Sequence, residues 1–320
     1  MKPLIAVPAI FALLYRAYSR KSLTPLGLFA AAITASIHAI HPWSVFFTLL
    51  GVFFLAGTAA TKVKHGIKAR LTQSASSGSS GGEGPRTHIQ VLANSAVASV
   101  LILLHAYKLS TESNRARSEC WAYGRDLLVV GIIANYAAVA SDTFSSELGI
   151  LSKSEPFLIT SFPPRHVPRG TNGGITLTGL AAGALGSLAI AFTALLLTPF
   201  CDNWSWQNRV GFTAAITLVG LVGSVWDSIL GGLLQASVVD VRTGKIIEGE
   251  GGRKVLITSL TDEGKDKHGQ KKPSSRRLES GRDLLSNNGV NLLMAASVSV
   301  GAMVVAARAW DVPLSQVFTT

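Results

Sequence analysis

Apolar residues in this chain come in long continuous runs instead of alternating with polar ones. Residues 173–198 carry no charged side chain at all. About 17–25 such residues are needed for a helix to cross roughly 30 Å of hydrocarbon. Eight segments meet that description, at about 3–18, 24–41, 43–61, 89–107, 126–141, 173–198, 208–232 and 289–309. A barrel would need short strands of alternating polarity, so the runs point to helices. The expected fold is all-α: a polytopic integral membrane protein with about eight transmembrane helices, in a single membrane domain over 1–320. Only 15% of the residues are charged, against about 25% in soluble domains. The first segment also has the look of a signal peptide. Arg16, Arg20 and Lys21 follow it without a small-residue cleavage site, which favours a retained helix.

With eight spans, the connections at 16–23, 62–88, 142–172 and 236–288 share one side. They hold 22 of the 29 lysines and arginines. The positive-inside rule makes that side cytoplasmic and puts both termini on the other. The sequon at Asn203-Trp204-Ser205 and both cysteines, Cys120 and Cys201, fall on the non-cytoplasmic side, where either a disulfide or two separate thiols fits. An endoplasmic reticulum or other endomembrane location agrees with this. The formal net charge of +11 suits anionic lipid headgroups or a phosphorylated ligand. No nucleic-acid-binding module accompanies it, so nucleic acid is not an expected partner.

Outside the spans, residues 72–84 read as a flexible Ser/Gly linker. Residues 236–288 form a basic cytoplasmic loop, with a hairpin predicted over 238–247 turning at Thr243-Gly244 and disorder predicted over 262–282.

The polar residues that remain are not scattered. They gather at the cytoplasmic ends of the spans, where ionisable groups are functional candidates. Asp142, Glu147 and Asp227 are hard oxygen donors suited to Mg²⁺, and so candidates for the catalytic metal site. Gly170, Thr171, Asn172, Gly173 and Gly174 precede an apolar run, and backbone amides at a helix start attract phosphate. Arg169, Lys64 and Lys68 are placed to neutralise phosphate charge. Gln90, Asn94, Asn288 and Asn291 are candidates for orienting donor or acceptor. Each motif has a plainer reading. Glycines also serve close helix packing, as the Gly179/Gly183 pair suggests. Lys62 to Arg70 also makes a positive-inside anchor. His38, His41 and His65 read as interfacial side chains and are assigned no metal. There is no Walker A motif and no GxGxxG.

Five motifs occur in a fixed order: RTHIQVLAN at 86–94, SDTFSSELG at 141–149, RGTNGGI at 169–175, DSILGGLLQ at 227–235 and NNGVN at 287–291. Together they resemble the transmembrane protein 19 family over nearly the whole chain, with Phe144 where relatives often carry Trp. A plant chloroplast member of that family is a phytyl-phosphate kinase. The resemblance therefore implies conversion of an isoprenyl monophosphate to its diphosphate, with CTP or another nucleoside triphosphate as donor and Mg²⁺ as cofactor. Two alternatives compete with a membrane prenyl-phosphate kinase. One is a transporter or flippase for a phosphorylated or anionic solute, which requires polar groups through the bilayer. The other is a scaffold protein without chemistry.

Overall fold

The computed structural model describes residues 1–74, 84–111, 119–248 and 276–317. Most of the 72–84 linker and most of 262–282 therefore lie outside the described residues. Helices α1 (Pro3–Ser19), α2 (Pro25–Ile40), α3 (Val45–Lys62) and α4 (His65–Leu71) open the chain. Helices α5 (His88–Thr111), α6 (Leu127–Gly149), α7 (Leu177–Leu197), α8 (Trp206–Leu234) and α9 (Asn287–Ala309) complete the bundle. Six of these, α3 and α5 to α9, are long and apolar enough to cross a membrane. Helices α1 and α2 are apolar but shorter, at 17 and 16 residues.

The hub is α6. Its first half reads LLVVGIIANYAAVA and has no polar face to turn toward solvent. A helix apolar all round belongs inside a bundle. Of its apolar window 83% is buried, against 33–44% for the other five long helices. Helices α3, α5, α7, α8 and α9 all pack on it. On the outer helices, Leu185, Leu188, Phe192 and Leu196 of α7 are exposed and form a lipid-facing surface.

Small residues set the helix spacing. A Cβ added at Gly220 would lie 2.1 Å from Ser187 Oγ and 2.7 Å from the Ala137 carbonyl oxygen. Gly179 and Gly183 likewise press against Ser145 and Ser141, which is the packing role their spacing suggests.

At one end of the bundle, Cys120 and Cys201 form a disulfide with Cα atoms 5.1 Å apart. Trp121, Trp204 and Trp310 cluster beside it with Phe200. At the other end is a four-stranded sheet in the order β1 (Gln73–Ser74), β5 (Lys245–Glu248), β4 (Ser237–Asp240), β6 (Arg276–Ser280). A two-stranded ribbon, β2 (Phe157–Leu158) with β3 (Gly174–Ile175), lies at the same end.

The predicted hairpin is present. Val239 pairs with Ile246 and Asp240 with Lys245, and Gly244 has φ +66° in the turn. Four expectations are corrected. Residues 276–280, placed in a disordered stretch, form β6, because Leu278 pairs with Val238. Gln73 and Ser74, placed in the linker, form β1 on β5. Helix α6 does not stop near residue 141 but runs to Gly149, since its polar last turns face a pocket and not lipid. His38 and His41 are not interfacial. His38 bonds Tyr136 at 2.5 Å, and His41 bonds His105 at 2.9 Å, all four fully buried.

The Gly220 contact gives a direct test. Gly220→Val should overpack the α6–α7–α8 seam and cost about 1–3 kcal/mol. Thermal unfolding in detergent should show a lowered midpoint for Gly220→Val, and none for Gly211→Val, where an added Cβ meets nothing.

Candidate functional site

The chain direction alternates between successive long helices. The carbonyl ends of α3, α6 and α8 therefore share one end of the bundle with the amide ends of α5, α7 and α9. A pocket of about 670 Å³ lies among these six ends. Asp142, Glu147, Asp227, Gln90, Asn94, Asn288, Asn291, Lys68, Arg169 and residues 170–174 all line it. Of the candidates from the sequence, only Lys64 is left out. It is exposed, with φ +48°, where the chain turns from α3 into α4.

Two of the three amide ends, those of α7 and α9, carry side-chain caps. The Thr176 hydroxyl accepts from Gly179 N at 3.0 Å, and the Ser286 hydroxyl accepts from Gly289 N at 3.2 Å. These are N-caps that satisfy otherwise orphaned donors. Helix amide ends carry partial positive charge, so α5, α7 and α9 favour an anion in the pocket.

The acids stand on the opposing ends. Asp142 and Asp227 each lie about two turns before the last residue of their helices, Gly149 and Leu234. Carbonyl ends disfavour negative charge. The two carboxyl groups nonetheless face one another within interaction range. Asp227 Oδ1 is buried without a hydrogen-bond partner. Two carboxylates this close need a cation or a proton between them.

Glu147 stands apart from that pair here. Its carboxylate is bound by the Lys68 ammonium in a nearly buried ion pair. It also accepts from the Thr61 hydroxyl at 2.8 Å. Among the described residues no group of three or more His, Cys, Asp or Glu is arranged to hold a metal ion. The Lys68 ammonium, expected to face phosphate, neutralises Glu147 and donates to the Ala60 carbonyl at 3.1 Å. The pairing joins residues 79 positions apart in sequence and ties α4 to α6.

The glycine-rich stretch is a turn, not the first turn of a helix. Helix α7 starts only at Leu177, after Gly174 and Ile175 have paired with Leu158 and Phe157. Three amides of the expected cradle are already used. Thr171 N donates to Pro168 O, Gly174 N to Thr171 O and Asn172 N to Ser237 Oγ. Gly170 and Gly173 have φ of +87° and +80°, where glycine is strongly favoured. Gly173 is also a close-approach residue, since a Cβ there would sit 2.8 Å from Gly232 Cα. The turn therefore docks on α8 and shapes the pocket floor, while side chains supply much of its polarity.

Arg86 is the main residue the sequence left unassigned. Its guanidinium donates to Thr61 Oγ1 at 3.2 Å inside the pocket. Thr61 thus links Arg86 to Glu147. Arg86 begins the first of the five motifs, which was the available signal. Arg169 lines the pocket and donates to the Lys153 carbonyl at 3.1 Å. Asn291 approaches Asn94 at 3.5 Å, and Asn135 of α6 donates to the Asn94 carbonyl at 3.2 Å. The amides on α5, α6 and α9 are thereby held together beside the acids.

The family description "Integral membrane protein DUF92" matches residues 8–299. Protein PGR of Arabidopsis thaliana is 34% identical over 282 residues, covering 87% of each chain. Protein VTE6, chloroplastic, of the same plant is 29% identical over 213 residues, which span 67% of this chain and 56% of that one. An uncharacterized membrane protein of Methanocaldococcus jannaschii is 40% identical over 113 residues, 35% of this chain and 43% of its own. No solved structure matches the chain significantly.

The ion pair is open to test. Lys68→Met leaves the Glu147 carboxylate nearly buried and uncompensated, a loss of about 3–5 kcal/mol. Lys68→Met with Glu147→Leu should recover most of that. Thermal midpoints in detergent measure both, and a double variant as unstable as the single one would deny the pairing its structural role.

Proposed function

The chain belongs to the integral membrane protein family DUF92, and from that premise we propose that it is a prenyl-phosphate kinase. It would transfer a phosphoryl group from a nucleoside triphosphate, CTP by resemblance, to an isoprenyl monophosphate at the cytoplasmic membrane face. The observation that carries this reading is the half-buried Asp142–Asp227 pair, with Asp227 Oδ1 buried and unpartnered, in a polar pocket.

The donor set fits Mg²⁺, which commonly takes one or two carboxylates and completes its shell with water and phosphate oxygens. Asp142 and Asp227 would hold it, and when bound it supplies charge neutralisation to the phosphates. Glu147 has no part in this ligand set, being taken by Lys68. In the reaction, an oxygen of the acceptor monophosphate forms a bond to the γ-phosphorus. The bond from that phosphorus to the β–γ bridging oxygen breaks, and its electron pair leaves with the nucleoside diphosphate. A phosphate monoester is already largely ionised at pH 7, with a second pKa near 6, so the acceptor needs no general base. Positioning and charge compensation are then the whole task. Arg86 and Arg169 contribute charge, and Gln90, Asn94, Asn288 and Asn291 contribute hydrogen bonds. The amide ends of α5, α7 and α9 add a favourable field for both phosphates. An endomembrane location with both termini on the non-cytoplasmic side remains part of this proposal.

A second reading, transport of a phosphorylated solute, draws on one specific observation. His38, His41, His105 and Asn135 are buried in the bundle, so its interior is more polar than the hydropathy suggests.

The test is reconstitution of the purified protein in lipid with Mg²⁺. CTP, ATP, GTP and UTP are supplied separately with phytyl, farnesyl and geranylgeranyl monophosphates. Diphosphate is expected with at least one donor. Asp142→Asn and Asp227→Asn should lower the rate by at least a hundredfold with no change in elution from a sizing column. A folded protein that forms no diphosphate with any pair removes the kinase reading and favours transport.

A further inference from the structure

A second cavity, narrow and apolar, lies between α1, α2, α3 and α5. Leu13 of α1, Ala31 of α2, Phe54 of α3 and Val91 of α5 are among its walls. At about 70 Å³ it has room for a short segment of one apolar chain and for no more. Three residues, Arg86, Gln90 and Asn94, line both this groove and the polar pocket. The apolar and polar spaces therefore meet at one cation and two amides.

Arg86 is fixed at that junction through its backbone. Thr24 N donates to Arg86 O at 3.0 Å, and Arg86 N donates to Ser22 O at 3.0 Å. The connection between α1 and α2 thus holds the residue whose guanidinium reaches Thr61 in the pocket. Helix α1 is one wall of the groove. It packs through a small separate cluster of Ala6, Ala35, Ala39 and Phe47, not through the main core. Its outer face exposes Leu4, Phe11 and Tyr15, which suits lipid contact.

We propose that this groove holds the tail of the acceptor, a single-chain isoprenoid whose terminal phosphate enters the pocket past Arg86, with α1 as the lateral boundary to the bilayer. The choice of an isoprenoid tail rests on the kinase reading. The amphiphile itself follows from an apolar and a polar cavity that share Arg86, Gln90 and Asn94 in their walls. An anionic head pairs with the guanidinium, and an apolar chain removes the groove lining from water or loose lipid. Tails longer than the groove extend past α1 into the bilayer.

The test uses the full-length protein in phosphatidylcholine vesicles with a farnesyl monophosphate that carries a diazirine on the isoprene unit next to the phosphate. After illumination, adducts are mapped by mass spectrometry. They are expected on α1, α2, α3 or α5 residues of the groove. Ala31→Trp should reduce labelling about tenfold, and Leu13→Trp, filling the same space from α1, should do the same if the first variant folds poorly. A phosphate-free farnesol probe should label the groove at least fivefold less. Adducts elsewhere, or equal labelling by the farnesol probe, overturn the proposal, since the latter means general lipid contact. Groove adducts without nucleotide-dependent diphosphate keep the groove and remove the kinase reading. Diphosphate formation without groove adducts does the reverse.

Discussion

Helix α6 is apolar from Leu127 to Ala140 apart from Asn135 and the Tyr136 hydroxyl, both turned to partners inside the protein, and five long helices close around it. Within lipid each of those helices satisfies its own backbone hydrogen bonds, and polar groups at its middle are costly. Polarity is therefore concentrated at helix ends. Alternating chain direction then brings three amide ends and three carbonyl ends into one place. The pocket follows from that arrangement, and the glycine contacts of the α6–α7–α8 seam keep the ends close enough to form a single cavity.

Within the cavity the charges divide by role. Lys68 and Glu147 compensate each other and join α4 to α6. Arg86 is joined to the same network through Thr61. Asp142 and Asp227 face each other at carbonyl ends, where like charge is least comfortable. Such an arrangement stores a demand for positive charge. The glycine turn contributes by letting the chain pass within van der Waals contact of Gly232 on α8.

Much of this was readable in the sequence where the signal is local. Hydropathy located the six long helices, the turn at Gly244 marked the hairpin, and the gathering of polar residues at one set of span ends marked the pocket. What failed was partner choice across the fold. Nothing near Glu147 in the chain says that Lys68 will occupy it. Nothing near Gly170 says that Ser237 will take the Asn172 amide. His38 looked interfacial because it stands close to the end of an apolar run, but Tyr136, 98 positions away, gives it a buried partner. The end of α6 was misplaced for a related reason: hydropathy registers polarity, while a helix stops only where its backbone does. The apolar groove left no trace, because it is made from ordinary leucines and alanines on four helices.

The disulfide at the opposite end ties the loop before α6 to the loop after α7, and the tryptophans beside it lock α9 into the same knot. No comparable covalent tie occurs among the described residues at the pocket end. The pocket end is fastened instead by the four-stranded sheet and by the Lys68–Glu147 pair. The covalent and the noncovalent fastenings therefore sit at opposite ends of one bundle, and a reductant would loosen the first while leaving the second in place.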